Sequence, residues 1–230
     1  MKKLFVAGCS FSDFTKVEKV YGQFLAEKLN YEYIHEGAGC GSNWRIWRQI
    51  TKHIMNGNLT SNDLLIVQYS GREREEFWSA LDQPDWAFND NTIEFLSVID
   101  KYNSGNIIRF KVNSHEWQHN KEERDLFELY EKYFVNIEFE NERFTVQNYM
   151  FQTLLLSKKI PVVFVRSHRI PQLIDSDVLA EYMPYVFNEP YKLKQYNLAS
   201  NDRGHMNQEG HHVFADWLFE HINTVYEGST

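Results

Sequence analysis

Asp63-Leu64-Leu65-Ile66-Val67-Gln68-Tyr69-Ser70 is the stretch that decides the fold. Its apolar run is continuous rather than alternating, and polar residues close it at both ends. A strand buried on both faces reads this way, because neither face meets water. Upstream, Gly37 to Gly41 is a glycine-rich loop. Ser42 or Asn43 can cap the helix that follows, which runs to about Met55, before Asn56-Gly57. Tyr31 to Ile34 reads as a short strand. Val20 to Leu29 is apolar at 20, 21, 24, 25, 26 and 29, a helical spacing that Asn30 ends. Leu4 to Gly8 is a further short apolar run that stops at a glycine. The order is β-α-β-α-β, which argues for an open parallel sheet with helices on both faces.

Downstream of Ser70 the character changes. Residues 71–125 are polar, rich in Glu, Asn, Asp and Trp, and weakly periodic. They read as an insertion of loops and short helices over one end of the sheet, where Phe77, Trp78, Trp86, Phe88 and Trp117 need cover. Leu126 to about Phe134 and Phe144 to Lys159 have a helical pattern, with Lys158-Lys159 placed to suit the helix dipole. Pro161 to Ser167 is a fourth buried strand. Residues 168–208 form a long irregular stretch containing Pro171, Pro184 and Pro190, and long loops in compact domains are often functional. Gly210 to about Val225 is the closing helix. The expectation is one domain over residues 1–230, with an insertion at 71–125.

The 230 residues are 43% hydrophobic and 24% charged, a globular composition with enough chain for a real core. The net charge of −8 gives no electrostatic reason to favour nucleic acid or an anionic membrane. Aromatic residues make up 16%. Their faces suit sugar rings and acyl chains, although packing is the ordinary use of each. Two cysteines, Cys9 and Cys40, are too few for a disulfide scaffold and fit a reducing compartment. No apolar stretch approaches the roughly 18 residues that span a bilayer. Met1-Lys2-Lys3 before Leu4 to Cys9 imitates a lipoprotein cleavage site, but its apolar part is shorter than the roughly 7–15 residues of a secretory core. It reads as a buried strand in a cytoplasmic protein.

Two segments carry the chemistry. Gly8-Cys9-Ser10-Phe11-Ser12-Asp13 follows the first strand, and Asp202-Arg203-Gly204-His205-Met206-Asn207 precedes the last helix. A serine at the carboxyl end of the first strand of an open α/β sheet sits where ligands bind in such folds. A hydroxyl needs an adjacent base to act as a nucleophile. A histidine is the usual base, and a carboxylate fixes its tautomer and orientation. Asp-x-x-His places both partners on one short turn.

Taken together, these blocks resemble the SGNH (GDSL-like) hydrolases. Gly8-Cys9-Ser10-Phe11 stands where that family has its Gly-Asp-Ser-like block, with Cys9 in place of the usual Asp. Asp202 to His211 matches Asp-x-x-His-Pro-Asn-x-x-Gly-His, except for Met206 in place of Pro. The resemblance implies a flavodoxin-like three-layer α/β/α fold with a central parallel sheet. It also implies a Ser10, His205 and Asp202 triad, and an oxyanion hole that includes the backbone N–H of Gly41, with Gly39 as the alternative. After the third strand the family has Gly-x-Asn-Asp, whereas this chain has Tyr69-Ser70-Gly71-Arg72-Glu73-Arg74. That departure is similar to divergent members, many of them phage-encoded, with an aromatic-Ser/Thr followed by an Arg. Ser70, Arg74 or Asn43 could supply the missing oxyanion donor. The plain reading of 72–76 is a solvated helix face with ion pairs. The implied activity is ester hydrolysis, with a small acyl group on a carbohydrate as the preferred substrate and no cofactor. The competing reading is a binding or structural protein that has kept the fold and grips a glycan without cleaving it.

Four other readings of these residues stand beside the triad. Cys9 could be a thiol nucleophile, but alternation lets only one of Cys9 and Ser10 face the site, and a small buried apolar role is the plain reading. A Cys9–Cys40 bridge is geometrically conceivable. Asp202, His205, His211 and His212 lack metal-ligand spacing, and Gly37 to Gly41 lacks the nucleotide-loop signatures.

Overall fold

The computed structural model describes residues 1–9, 12, 17–37, 42–70, 74–79, 106–111, 129, 133, 137–166, 186–187 and 205–227. Its elements in chain order are β1 (Lys3–Gly8), α1 (Tyr21–Leu29), β2 (Glu32–Gly37), α2 (Asn43–Met55), β3 (Leu64–Tyr69), β4 (Arg74–Ser79), β5 (Asn106–Lys111), α3 (Ile137–Ser157), β6 (Val162–Arg166), β7 (Val186–Phe187) and α4 (Gln208–Glu227).

One sheet has the order β2-β1-β3-β6-β7, and every neighbouring pair is parallel. This is the doubly wound flavodoxin-like order expected from the sequence. From β1 the chain moves outward to β2, then crosses back past β1 to β3. The direction of winding therefore reverses between β1 and β3. In open α/β sheets the crevice outside the carboxyl ends of those two strands is the ligand site.

Side-chain alternation splits the core into two layers. Leu4, Val6, Leu64, Ile66 and Val163 pack with Tyr21, Leu25, Phe214 and Leu218 of α1 and α4. Phe5, Ala7, Leu65, Val67 and Phe164 pack with Ile46, Trp47, Ile50, Phe151 and Leu155 of α2 and α3. Each fully buried aliphatic side chain stabilises the fold by about 1.5–3 kcal/mol, which is why the unbroken apolar strands occupy the centre. α1 stops where Asn30 adopts a left-handed conformation, φ 54°. Ser42 caps α2 by accepting the Arg45 N–H at 3.1 Å.

The structure corrects several of these expectations. Two stretches of 71–125 form an antiparallel pair, β4 with β5, instead of the expected loops and short helices. The solvated-helix reading of 72–76 fails for the same reason at Arg74 to Glu76. These strands are edge-rich and polar, so they lack the apolar run that marks a central strand. α3 begins at Ile137, not Phe144, because Glu138-Phe139-Glu140-Asn141-Glu142-Arg143 is compatible with a helix without showing an apolar stripe. α4 begins at Gln208, two residues before the expected Gly210.

Candidate active site

β1 and β2 end at the same level, with Gly8 opposite Gly37. Cys9 is buried, as its plain reading as a small core residue required. The Ser12 N–H donates to Cys9 O at 2.9 Å, which folds the chain back over the two glycines. A Cβ at Gly37 would lie 2.8 Å from the Ser12 carbonyl oxygen. One at Gly8 would collide with Ser12 Oγ and lie 2.9 Å from Gln68 Cβ. Both positions must lack a side chain for this turn to form. Ser12 is fully buried and its hydroxyl donates to Gln68 Oε1 of β3. With that proton committed, the Tyr21 hydroxyl is the donor in the 3.0 Å Ser12–Tyr21 hydrogen bond. Burial raises the Tyr21 pKa, so the phenol stays protonated and remains a donor.

The next strand end is tied to the start of α2. Asn43 Nδ2 donates to Ser70 O at 3.0 Å, and the Ser70 N–H donates to Asn43 Oδ1 at 2.8 Å. Both residues are buried. The Ser70 hydroxyl is also buried and has no hydrogen-bond partner among the described residues. Beneath it the Tyr69 hydroxyl donates to Asn148 Oδ1 at 2.7 Å and accepts from Gln152 Nε2 at 3.3 Å, joining β3 to α3. One turn into α2, Arg45 is fully buried and its Nη1 donates to Glu36 O at 2.9 Å, at the end of β2. A buried guanidinium thus stands at the carboxyl edge of the sheet.

The C-terminal block meets this edge from the other side. His205 is half-buried, and its Nδ1 lies inside the protein. Met206 is buried, and Asn207 Oδ1 accepts the Gly210 N–H at 2.7 Å, capping α4. His211 Nδ1 accepts the Tyr21 N–H at 3.1 Å, and the two rings lie nearly parallel with centroids 6.1 Å apart. Burial, and then the nearby His205 imidazole, lower the His211 pKa to about 4. His211 is therefore neutral near pH 7 and carries its proton on Nε2.

That depression has a consequence for stability. Below about pH 6.5 the unfolded chain takes up a proton that folded His211 refuses. The His211 contribution is complete above pH 6.5 and is lost progressively down to about pH 4. Its size is about 3 kcal/mol by linkage. Burial lowers the His221 pKa as well, and the sign there is the same. The expected outcome is that urea midpoints fall from pH 7 to pH 4.5, and that His211→Asn shows a shallower fall. Equal slopes would refute it.

Of the residues expected from the sequence, the structure brings Asn43 and Ser70 into direct contact and sets His205 beside His211. Arg74 begins β4, and its side chain is outside the described residues. Ser10, Gly41 and Asp202 lie outside the described residues, as does Cys40. Asn43 is more committed than the sequence suggested, since both ends of its amide hold the Ser70 backbone. Sequence reasoning missed Ser12, Tyr21, Gln68, Gln208 and Arg45. Gln68 alone carried a signal, as the one polar residue inside the apolar run of β3. Among the described residues no group of three or more His, Cys, Asp or Glu side chains could hold a metal ion. Among them, too, no helix is long and apolar enough to cross a membrane.

The parallel sheet, its winding order and its flanking helices form a three-layer α/β fold, the one that the resemblance to SGNH hydrolases implied. The chain is similar to the psychrotrophic esterase EstA from Pseudoalteromonas sp., solved with monoethylphosphonate as inhibitor. The TM-score is 0.53 at 8% identity, over 97% of this chain and 98% of that one. It is also similar to the lipase Lip_vut3 from a goat rumen metagenome, with a TM-score of 0.47 at 11% identity, over 95% of this chain and 96% of that one. At these identities the likeness speaks to fold, and only the first match bears weight. No family model and no curated protein matches the chain.

Proposed function

We propose that the chain is a serine ester hydrolase. Ser10 attacks the acyl carbonyl, His205 takes the hydroxyl proton, and Asp202 orients the imidazole through its Nδ1 edge. His205 then protonates the leaving alcohol. Water, deprotonated by the same imidazole, releases the acyl group and restores Ser10. The observation that carries this reading is the meeting of the chain's distant segments. The Tyr21 N–H bonds His211 Nδ1 across 190 residues of sequence, so the block holding His205 docks beside the β1 edge. That edge is where the winding order of the sheet reverses.

The Gly41 N–H and a second donor hold the oxyanion in this mechanism. Ser70 is the best-supported second donor. Its N–H is taken by Asn43, but its hydroxyl is buried with no partner among the described residues, which leaves it open to a ligand or water. Asn43 keeps one amide hydrogen beyond its bond to Ser70, and Arg74 is the third choice. A lost oxyanion donor costs roughly 3–4 kcal/mol of transition-state stabilisation. The proposed substrate is a small acyl group, acetyl above all, on a carbohydrate or other small alcohol. The Trp-rich 71–125 segment and the resemblance support it. No cofactor takes part.

The test is covalent labelling by a fluorophosphonate, together with hydrolysis of short-chain aryl esters. A label on Ser10 with measurable turnover supports the proposal. The lack of the family's Asn after the third strand favours the second reading, a glycan-binding protein on the same fold. Absence of both label and turnover, together with measured glycan binding, would support that alternative.

A further inference from the structure

Four side-chain-to-backbone hydrogen bonds join the start of α4 to the lead-in of α1. Gln208 Oε1 accepts from the N–H groups of Glu18 at 3.1 Å and Lys19 at 3.3 Å. Gln208 Nε2 donates to Lys19 O at 2.7 Å. His211 Nδ1 accepts from the Tyr21 N–H at 3.1 Å. These bonds span 189 or 190 residues of sequence. Tyr21 is the first residue of α1, where the N–H has no partner within its own helix. α4 therefore caps α1 from a distant part of the chain.

We propose that Gln208 and His211 are positioning residues that fix His205 against the carboxyl end of β1. The proposal rests on the reading of Ser10 as nucleophile and His205 as base. His205 lies three residues before Gln208, and between them Asn207 caps α4. Once Gln208 and His211 are gripped, the backbone that carries His205 has little room to shift. On the other side the grip continues toward the nucleophile. Tyr21 bonds Ser12 through its hydroxyl, and Ser12 bonds Cys9 O, the residue before Ser10. Ser12 in turn is anchored on Gln68 of β3. One line of hydrogen bonds thus runs from α4 through α1 to the turn at the end of β1.

Apolar packing alone would not fix this register. The Tyr21–Phe214 contact, with ring centroids 4.9 Å apart, holds α1 against α4 but is non-directional. Hydrogen bonds weaken steeply when misaligned, so four of them select one height of α4 along α1. A site of this kind needs its groups within about 1 Å of the productive geometry, and a small error far from the chemistry can cost on the order of 100-fold in rate.

The experiment compares Gln208→Ala, His211→Leu and His211→Asn with the parent protein. Gln208 is exposed, so its truncation leaves the core intact. Asn offers Oδ1 close to the place of His Nδ1 and keeps the acceptor, while Leu removes it. The readouts are kcat and KM on a short-chain aryl ester, and residue-resolved amide exchange by NMR. Gln208→Ala and His211→Leu are expected to lower kcat about tenfold or more, with KM changed less than about twofold. Amide exchange should accelerate about tenfold at Lys19 or Tyr21, at Ser12 and at Met206, and stay unchanged in β3. His211→Asn should restore kcat to within about threefold. The proposal is overturned if Ser12 and Met206 exchange as in the parent, or if His211→Asn fares no better than His211→Leu. If His211→Leu does not fold, Gln208→Ala decides. A parent protein without esterase activity would sink the catalytic reading, and the exchange data would still judge the clamp.

Discussion

Ser10→Ala is expected to lower ester turnover by about four to six orders of magnitude, and His205→Ala by a similar factor. In the proposed mechanism the two groups act as one unit. Without the imidazole the hydroxyl is a poor nucleophile, and without the hydroxyl the imidazole has nothing to activate. The double variant should therefore be no slower than either single one. Residual turnover would come from the oxyanion donors and binding. Steady-state kcat on an activated aryl ester checks this, with a fluorophosphonate label giving the active fraction of the parent protein. If the two losses multiplied, Ser10 and His205 would be acting independently, and the triad would be wrong. If neither variant lost activity, any observed hydrolysis would arise elsewhere.

Asn43→Ala is expected to give the largest loss of stability among the site residues. It removes both partners of the Ser70 backbone, leaving one N–H and one C=O buried and unpaired. Each such group costs about 1–3 kcal/mol, so the total is about 2–6 kcal/mol. Asn43→Asp separates the two bonds. It keeps an acceptor for the Ser70 N–H but turns a carboxylate oxygen toward the Ser70 carbonyl, and the damage should ease as acid protonates it. Ser70→Ala is the control. Both backbone bonds survive, and the hydroxyl that is lost has no partner among the described residues, so stability should hold or rise. Its activity should fall if that hydroxyl serves the oxyanion. Urea denaturation and kcat measured on the three variants decide. An Asn43→Ala protein as stable as the parent would show that water can replace the amide at Ser70.

Much of the scaffold was legible because strands buried on both faces write themselves as unbroken apolar runs. Leu64 to Val67 is the clearest instance, and the Ser42 cap with its helix to Met55 followed from local chemistry. What stayed hidden depends on neighbours remote in sequence. Nothing local to Asn43 says that its amide will bridge to Ser70, because that pairing exists only once α2 lies across the end of β3. Ser12 looked like one more serine after a strand, and it gains meaning from Gln68 and Tyr21. β4 and β5 were missed because their residues are mostly polar, so no burial pattern announced them. The His205 block was recognised from its spacing, whereas its docking through Gln208 and His211 needed the fold.

The bonds that bring α4 to α1 also constrain when the protein becomes competent. Contacts separated by 190 residues are among the last to repay the entropy of closing a chain. β1, β2 and β3, with α1 and α2 between them, can pair early from neighbouring sequence. α4 must find α1 after the intervening polypeptide has condensed. In refolding, the sheet's circular-dichroism signal should therefore recover before the ability to label Ser10, and the interval between the two would measure this late closure.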